Sequence, residues 1–326
     1  MRAFVLSGGG NLGPLQVGAL RALLEASIYP EMIVGCSAGA LNAAYLARGA
    51  SFEQLDRLAN VWRDVTTRDV YPGHKLTAFW RFFSGQDSLY DNRNFYAFLQ
   101  RHGTTPAHTF AQINKVKLYV TATNLRTGRL HVFGDNLHDS LLDALMASTA
   151  LTPMHPPWEV DGECYIDGGT ITPLPLRVAL ERGATEIFSL HIESGNEPSA
   201  EATREATGRL IRGVTALLNH SVTTMLRLQV QHDLSLTQGH KRVKLHNIRL
   251  WVANPPPHND FSQVEALIND GYTAAKAYLD PLKQPAKQAS SASMPWSRFT
   301  MWRRLPPPAQ LQTQIIATEQ LVPTEQ

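Results

Sequence analysis

The stretch that most limits what this chain can fold into is Gly35-Cys36-Ser37-Ala38-Gly39. The apolar run Met32-Ile33-Val34 before it reads as a buried strand. The Ala- and Leu-rich run from Ala40 to Arg48, stopped by Gly49, reads as a helix. A serine at a strand-to-helix turn, with Gly35 and Gly39 two positions away on either side, is the pattern of a nucleophile elbow. Such a turn strains the serine backbone by about 1–3 kcal/mol, and side chains at the two flanks would collide with the neighbouring strand or helix. In return the hydroxyl stands at the positive end of a helix, where developing negative charge is stabilised. The match means little by itself. Its weight depends on whether other segments supply a base and an oxyanion site for Ser37.

The N-terminus offers the second of these. Ala3 to Leu6 is a short apolar strand that begins too near Met1 for a signal peptide to precede it. Gly8-Gly9-Gly10-Asn11-Leu12-Gly13 follows, then Pro14, a favoured first helical residue. Leu15, Ala19, Leu20, Leu23 and Leu24 recur at helical spacing to about Ser27. The loop fits the dinucleotide fingerprint in its strand–loop–helix setting. That fingerprint also needs an acidic residue at the tip of the next strand. Here that tip is Gly35-Cys36-Ser37, and Glu31 precedes the strand. The better reading is an oxyanion hole, in which backbone N–H groups converge on one small space. A tight turn with no further role is the third reading. Both loops leave neighbouring parallel strands at the same edge, so Gly8–Gly13 should lie close to Ser37.

A base is the remaining requirement. Val116 to Thr121 and Arg129 to Phe133 read as strands joined at Thr127-Gly128, and Asp139 to Thr149 as a helix. Pro153-Met154-His155-Pro156-Pro157 cannot be helical. A hairpin through the Asp161-Gly162 turn then delivers Asp167-Gly168-Gly169. Asp-Gly-Gly after a strand is often only a turn. In this setting a carboxylate at the end of a neighbouring strand can serve Ser37, above all if burial raises its pKa.

The glycine loop at 8–13, the elbow at 35–39 and Asp167-Gly168-Gly169, in that order and spacing, resemble the patatin-like phospholipases. The likeness runs from Ala3 to about Arg177 and includes Ala147-Ser148-Thr149-Ala150 and Tyr165-Ile166-Asp167-Gly168-Gly169-Thr170. It implies a three-layer α/β/α fold with a mainly parallel sheet and a Ser–Asp dyad. By it, Ser37 is the nucleophile and Asp167 the proton acceptor. Gly8, Gly9, Gly10, Asn11, Leu12 and Gly13, with the N–H of Ala38, form the oxyanion hole. Gly35, Gly39, Gly168 and Gly169 are then the motif glycines. The family acts on acyl esters of lipids without a metal, so no cofactor is expected and the partner is a lipid or acyl-ester substrate. Members usually carry Arg or Lys beside the last loop glycine, where this chain has Leu12. That weakens a phospholipid head-group preference but leaves the backbone donors in place. A binding or scaffolding protein that has lost catalysis is the alternative, and retention of Ser37 and Asp167 speaks against it. A Ser-His-Asp triad using His191 or His258 is a rival mechanism. An elbow at residue 37 follows too few strands for that fold, and His155, His191 and His258 read as loop or packing residues.

Elsewhere, Ser51-Phe52-Glu53-Gln54 opens a helix to about Arg63, and Asp91 caps one to about His102. Leu174–Arg182, Glu201 to about Leu236, and Phe261–Leu279 read as helices, with strands at Thr185–His191 and Val243–Val252. Alternating strands and helices predict a mainly parallel sheet. The formal net charge of +2 argues against a nucleic-acid partner. Cys36 and Cys164 give no disulfide framework; they fit a reducing, cytoplasmic setting and read as packing residues. Residues 1–281 are expected to form one domain, followed by a flexible Pro-, Gln- and Ser-rich tail at 282–326. Two aromatic and basic stretches, 74–83 and 294–305, are candidates for peripheral membrane contact. The alternatives are a lid or core helix for the first and a disordered extension for the second.

Overall fold

A computed structural model of the chain describes residues 1–73, 84–194 and 214–283. Met1–Pro285 forms one compact unit. The candidate membrane stretches at 74–83 and 294–305, and the start of the long helix expected from Glu201, lie outside the described residues.

The framework is a single mixed sheet. Its strands are β1 (Arg2–Leu6), β2 (Met32–Cys36), β3 (Lys117–Asn124), β4 (Leu130–Phe133), β5 (Trp158–Val160), β6 (Glu163–Asp167), β7 (Glu186–Ser194) and β8 (Lys244–Val252). The order is β5-β6-β3-β2-β1-β7-β8, with β4 also paired to β3. From β3 to β8 every pairing is parallel; β4 pairs antiparallel with the other edge of β3, while β6, itself paired with β5, continues antiparallel along the edge that carries β2. The strands read from sequence are all present. Two-residue alternation divides each strand between two cores. Phe4 and Leu6 face one, while Ala3 and Val5 face the other.

Helices cover both faces, completing three layers. On the larger side lie α1 (Pro14–Glu25), α2 (Ala38–Ala47), α3 (Phe52–Asp64), the single turn α4 (Thr67–Val70), α5 (Arg93–Arg101), α6 (Leu141–Ser148) and, beyond the next two, α9 (Val264–Lys283). On the other lie α7 (Leu176–Glu181) and α8 (Val214–Gln238). Ser51 caps α3, its hydroxyl accepting the Gln54 N–H, as the sequence predicts. The cap of α5 is Asn92 rather than Asp91, whose carboxylate instead accepts the Arg93 N–H. Phe261 precedes α9 instead of opening it, because Asp260 accepts from the N–H and hydroxyl of Ser262 and holds a turn there. Among the described residues, no helix is long and apolar enough to cross a membrane.

Candidate active site

The parallel pairing of β1 with β2 sets their C-terminal ends side by side, Leu6 opposite Gly35. The glycine loop and the elbow therefore leave the sheet together. Ser37 has φ 53° and ψ −124°, a left-handed conformation unusual for a residue with a side chain, and it caps α2. The crowding expected at the flanking glycines is present. A Cβ on Gly35 would sit 2.5 Å from the Gly39 carbonyl oxygen, and one on Gly39 would sit 2.4 Å from that of Leu6. Gly168 is as tightly packed, against the carbonyl of Thr121 on β3. Gly8 lies directly over the nucleophile candidate, 3.3 Å from the Ser37 Cβ to a Cβ built on it. The strained turn is held by the Ser37 N–H, which donates to the hydroxyl oxygen of Ser148 at 2.9 Å, at the end of α6.

Asp167 ends β6 and is 3 % exposed. It pairs with Ala122 of β3, next to the Thr121 that pairs with Cys36 on the same edge, so the ends of β6 and β2 meet at the elbow. Its carboxylate accepts the Gly169 N–H at 2.7 Å, and the Cys36 thiol approaches at 3.7 Å. The Ser37 hydroxyl lies near enough to act on it as a hydrogen-bond donor. Burial raises its pKa from 3.8 to about 6, against the opposing pull of those three donors. Burial, reinforced by the Asp167 charge, also pushes the Cys36 thiol well up, so it stays protonated and can donate. Cys36 is the packing residue the sequence suggests; Cys164 is exposed on β6, a correction that follows from the outward face of that edge hairpin.

The loop residues divide into two groups. The N–H of Gly8 donates to the Pro173 carbonyl, that of Leu12 to Gly9, and that of Gly13 to Gly10. These three amides already have backbone acceptors. Gly10 and Asn11 line the open space beside Ser37 and Ala38. The Leu12 side chain is buried in the larger core. The Asn11 side chain is occupied elsewhere, donating to the carbonyls of Pro257 and Asp260 at 2.8 Å each.

A cleft, partly open to solvent, opens beside Ser37. Its walls are mostly apolar: Leu41, Leu58, Trp62, Phe98 and Leu99 among others from α2, α3 and α5. His155 also lines it, stacked 5.4 Å from Tyr71, its Nε2 2.7 Å from the Val70 carbonyl. His258 meets the same tyrosine edge-on. His191 sits on β7, 3.1 Å from Glu193. Among the described residues, the carboxylate partners of Asp167 include no histidine. Sequence reasoning missed a buried polar network under the glycine loop. Gln16 donates to the carbonyls of Ser7 and Leu190, and Asn42 donates to the carbonyl of Gly13 and the side-chain oxygen of Gln16. The Asn42 oxygen accepts the Trp62 N–H at 2.8 Å. Two amides on otherwise apolar helices were the available signal.

The patatin-like phospholipase family model matches residues 4–180, and the chain belongs to that family. Rat patatin-like phospholipase domain-containing protein 7 is 29 % identical over 206 residues, 60 % of this chain and 14 % of that protein. Lysophospholipase NTE1 of Mycosarcoma maydis is 27 % identical over 66 % of this chain and 11 % of its own length. The chain thus corresponds to a small part of these relatives. VipD of Legionella pneumophila superposes on 86 % of this chain and 67 % of its own, with a TM-score of 0.47 and 15 % identity.

Proposed function

We propose that this protein hydrolyses lipid acyl esters with Ser37 as nucleophile and Asp167 as its base. The observation that carries this is the meeting of a strained serine at a helix N-terminus with a buried carboxylate whose pKa is about 6, beside an apolar cleft. A carboxylate with a pKa near neutrality accepts a proton better than an ordinary aspartate does and remains ionised at pH 7. Asp167 takes the hydroxyl proton as the Ser37 oxygen bonds to the acyl carbonyl carbon. The resulting oxyanion is placed where the N–H groups of Gly10, Asn11 and Ala38 can hold it. Collapse breaks the ester bond, and the alcohol leaves with the proton from Asp167. The same aspartate then takes a proton from water, whose oxygen attacks the acyl-serine carbonyl carbon; the bond to the Ser37 oxygen breaks, that oxygen takes the proton back from Asp167, and the fatty acid leaves. The family membership supports a lipid as substrate.

The test is hydrolysis of p-nitrophenyl esters together with labelling by a fluorophosphonate. The wild-type protein should react with both. Ser37→Ala should abolish labelling and lower kcat by at least about a thousand-fold with the fold retained by circular dichroism. Undiminished hydrolysis by folded Ser37→Ala rejects the assignment. A wild type inert to both probes would instead favour a binding protein on this fold.

A further inference from the structure

The cleft beside the elbow has a direction. Ser37, Leu41 and Tyr45 follow at four-residue spacing along α2 and share one face of it. Ser37 and Leu41 are partly exposed, whereas Tyr45 is 4 % exposed. The facing walls change in the same sense. Leu151, 47 % exposed, lies at the mouth, and the buried Phe98 and Leu99 lie at depth. Among the described residues, no charged side chain lines the space. Exposure of the lining therefore falls along α2 from the elbow, and Tyr45 is the buried lining residue farthest along that helix. That ring is held at its hydroxyl and over its face. Its hydroxyl donates to the His102 carbonyl at 2.5 Å, and the Arg48 guanidinium lies over its face at 4.9 Å.

We propose that this cleft measures the acyl chain: an ester places its carbonyl at Ser37 and its chain along α2, and Tyr45 sets the upper limit of length. The proposal rests on the hydrolase reading above and names its substrate class, medium-chain acyl esters. Eight residues of helix separate Ser37 from Tyr45, a rise of about 12 Å. Helical side chains lean toward the N-terminus, which brings the ring somewhat closer. An extended chain covers about 1.2 Å per bond, so the space takes roughly eight to ten carbons. Longer chains must bend back to the mouth.

The test is kcat/KM for p-nitrophenyl esters from butyrate to palmitate, on wild type, Tyr45→Ala and Leu41→Trp. In the wild type, each methylene that finds room should raise kcat/KM about four-fold up to octanoate or decanoate, with a fall of at least about ten-fold by palmitate. Tyr45→Ala should move the maximum to longer chains. Leu41→Trp, which fills the cleft one turn from the elbow, should move it toward butyrate, and it decides the matter if Tyr45→Ala does not fold. A wild-type profile that is flat or highest at palmitate, with neither variant shifting it, overturns the ruler and leaves the hydrolase reading intact. Failure of the wild type to hydrolyse any ester overturns the hydrolase reading and the ruler with it.

Discussion

Asp167 works against the fold it belongs to. An isolated aspartate ionises near 3.8, but in the folded chain burial raises that to about 6. Between these values the unfolded chain gives up the proton and the folded chain keeps it. Stability contributed by this group is therefore lost as pH rises from about 4 to about 6, and above that the ionised carboxylate costs about 3 kcal/mol. Asp167→Asn keeps an oxygen for the Gly169 N–H and removes the charge. It should raise stability by up to about 3 kcal/mol at pH 8 and by almost nothing at pH 4, read from urea unfolding at the two values, while ester hydrolysis is lost. A variant less stable than wild type at pH 8 would contradict the burial cost. For the wild type, kcat/KM should climb as pH passes about 6 and level off above it, because the base must be ionised. A pH profile flat from 5 to 8 would remove Asp167 from that role.

Helix α1 and helix α9 meet closely enough to leave no room for side chains at two positions. A Cβ on Gly18 would lie 1.8 Å from the Ile268 carbonyl oxygen, and one on Gly271 would lie 1.9 Å from that of Leu15. These are backbone atoms of packed helices and cannot yield as a flexible side chain would. Gly18→Ala should therefore cost about 3 kcal/mol or more, lowering Tm by roughly 5 °C; an unchanged thermal melt would show that the two helices can separate. The contact matters for the site because α1 begins at Pro14, directly after the glycine loop. The segment before α9 also holds that loop, through the Asn11 side chain on Pro257 and Asp260. Periodicity located both helices but not their meeting, since their glycines read equally well as interruptions of a helix.

The whole molecule extends past the residues that carry the family likeness. Matching ends at residue 180, yet β1 has β7 as its second neighbour, and α9 covers α1. A fragment of residues 1–180 would expose one edge of β1 and the apolar face of α1. It should show no cooperative thermal transition, whereas 1–285 should melt in one step. Cooperative melting of the shorter fragment would mean that β7, β8 and α9 are additions to an already stable unit.

From the sequence alone, the glycine loop, the elbow and Asp167-Gly168-Gly169 could be placed on a strand–helix framework, because each depends on local backbone demands that few residues meet. Strand alternation likewise located the two-faced sheet. Three things were settled only in three dimensions. Which loop amides remain free depends on Pro173, more than 160 residues from Gly8. The clamp on Asn11 comes from a segment beyond residue 250. The cleft is walled by α2, α3 and α5 together, and none of their apolar stripes distinguishes a lining residue from a core residue. A local pattern records how a segment turns and which face it buries; it carries no record of what that face is buried against.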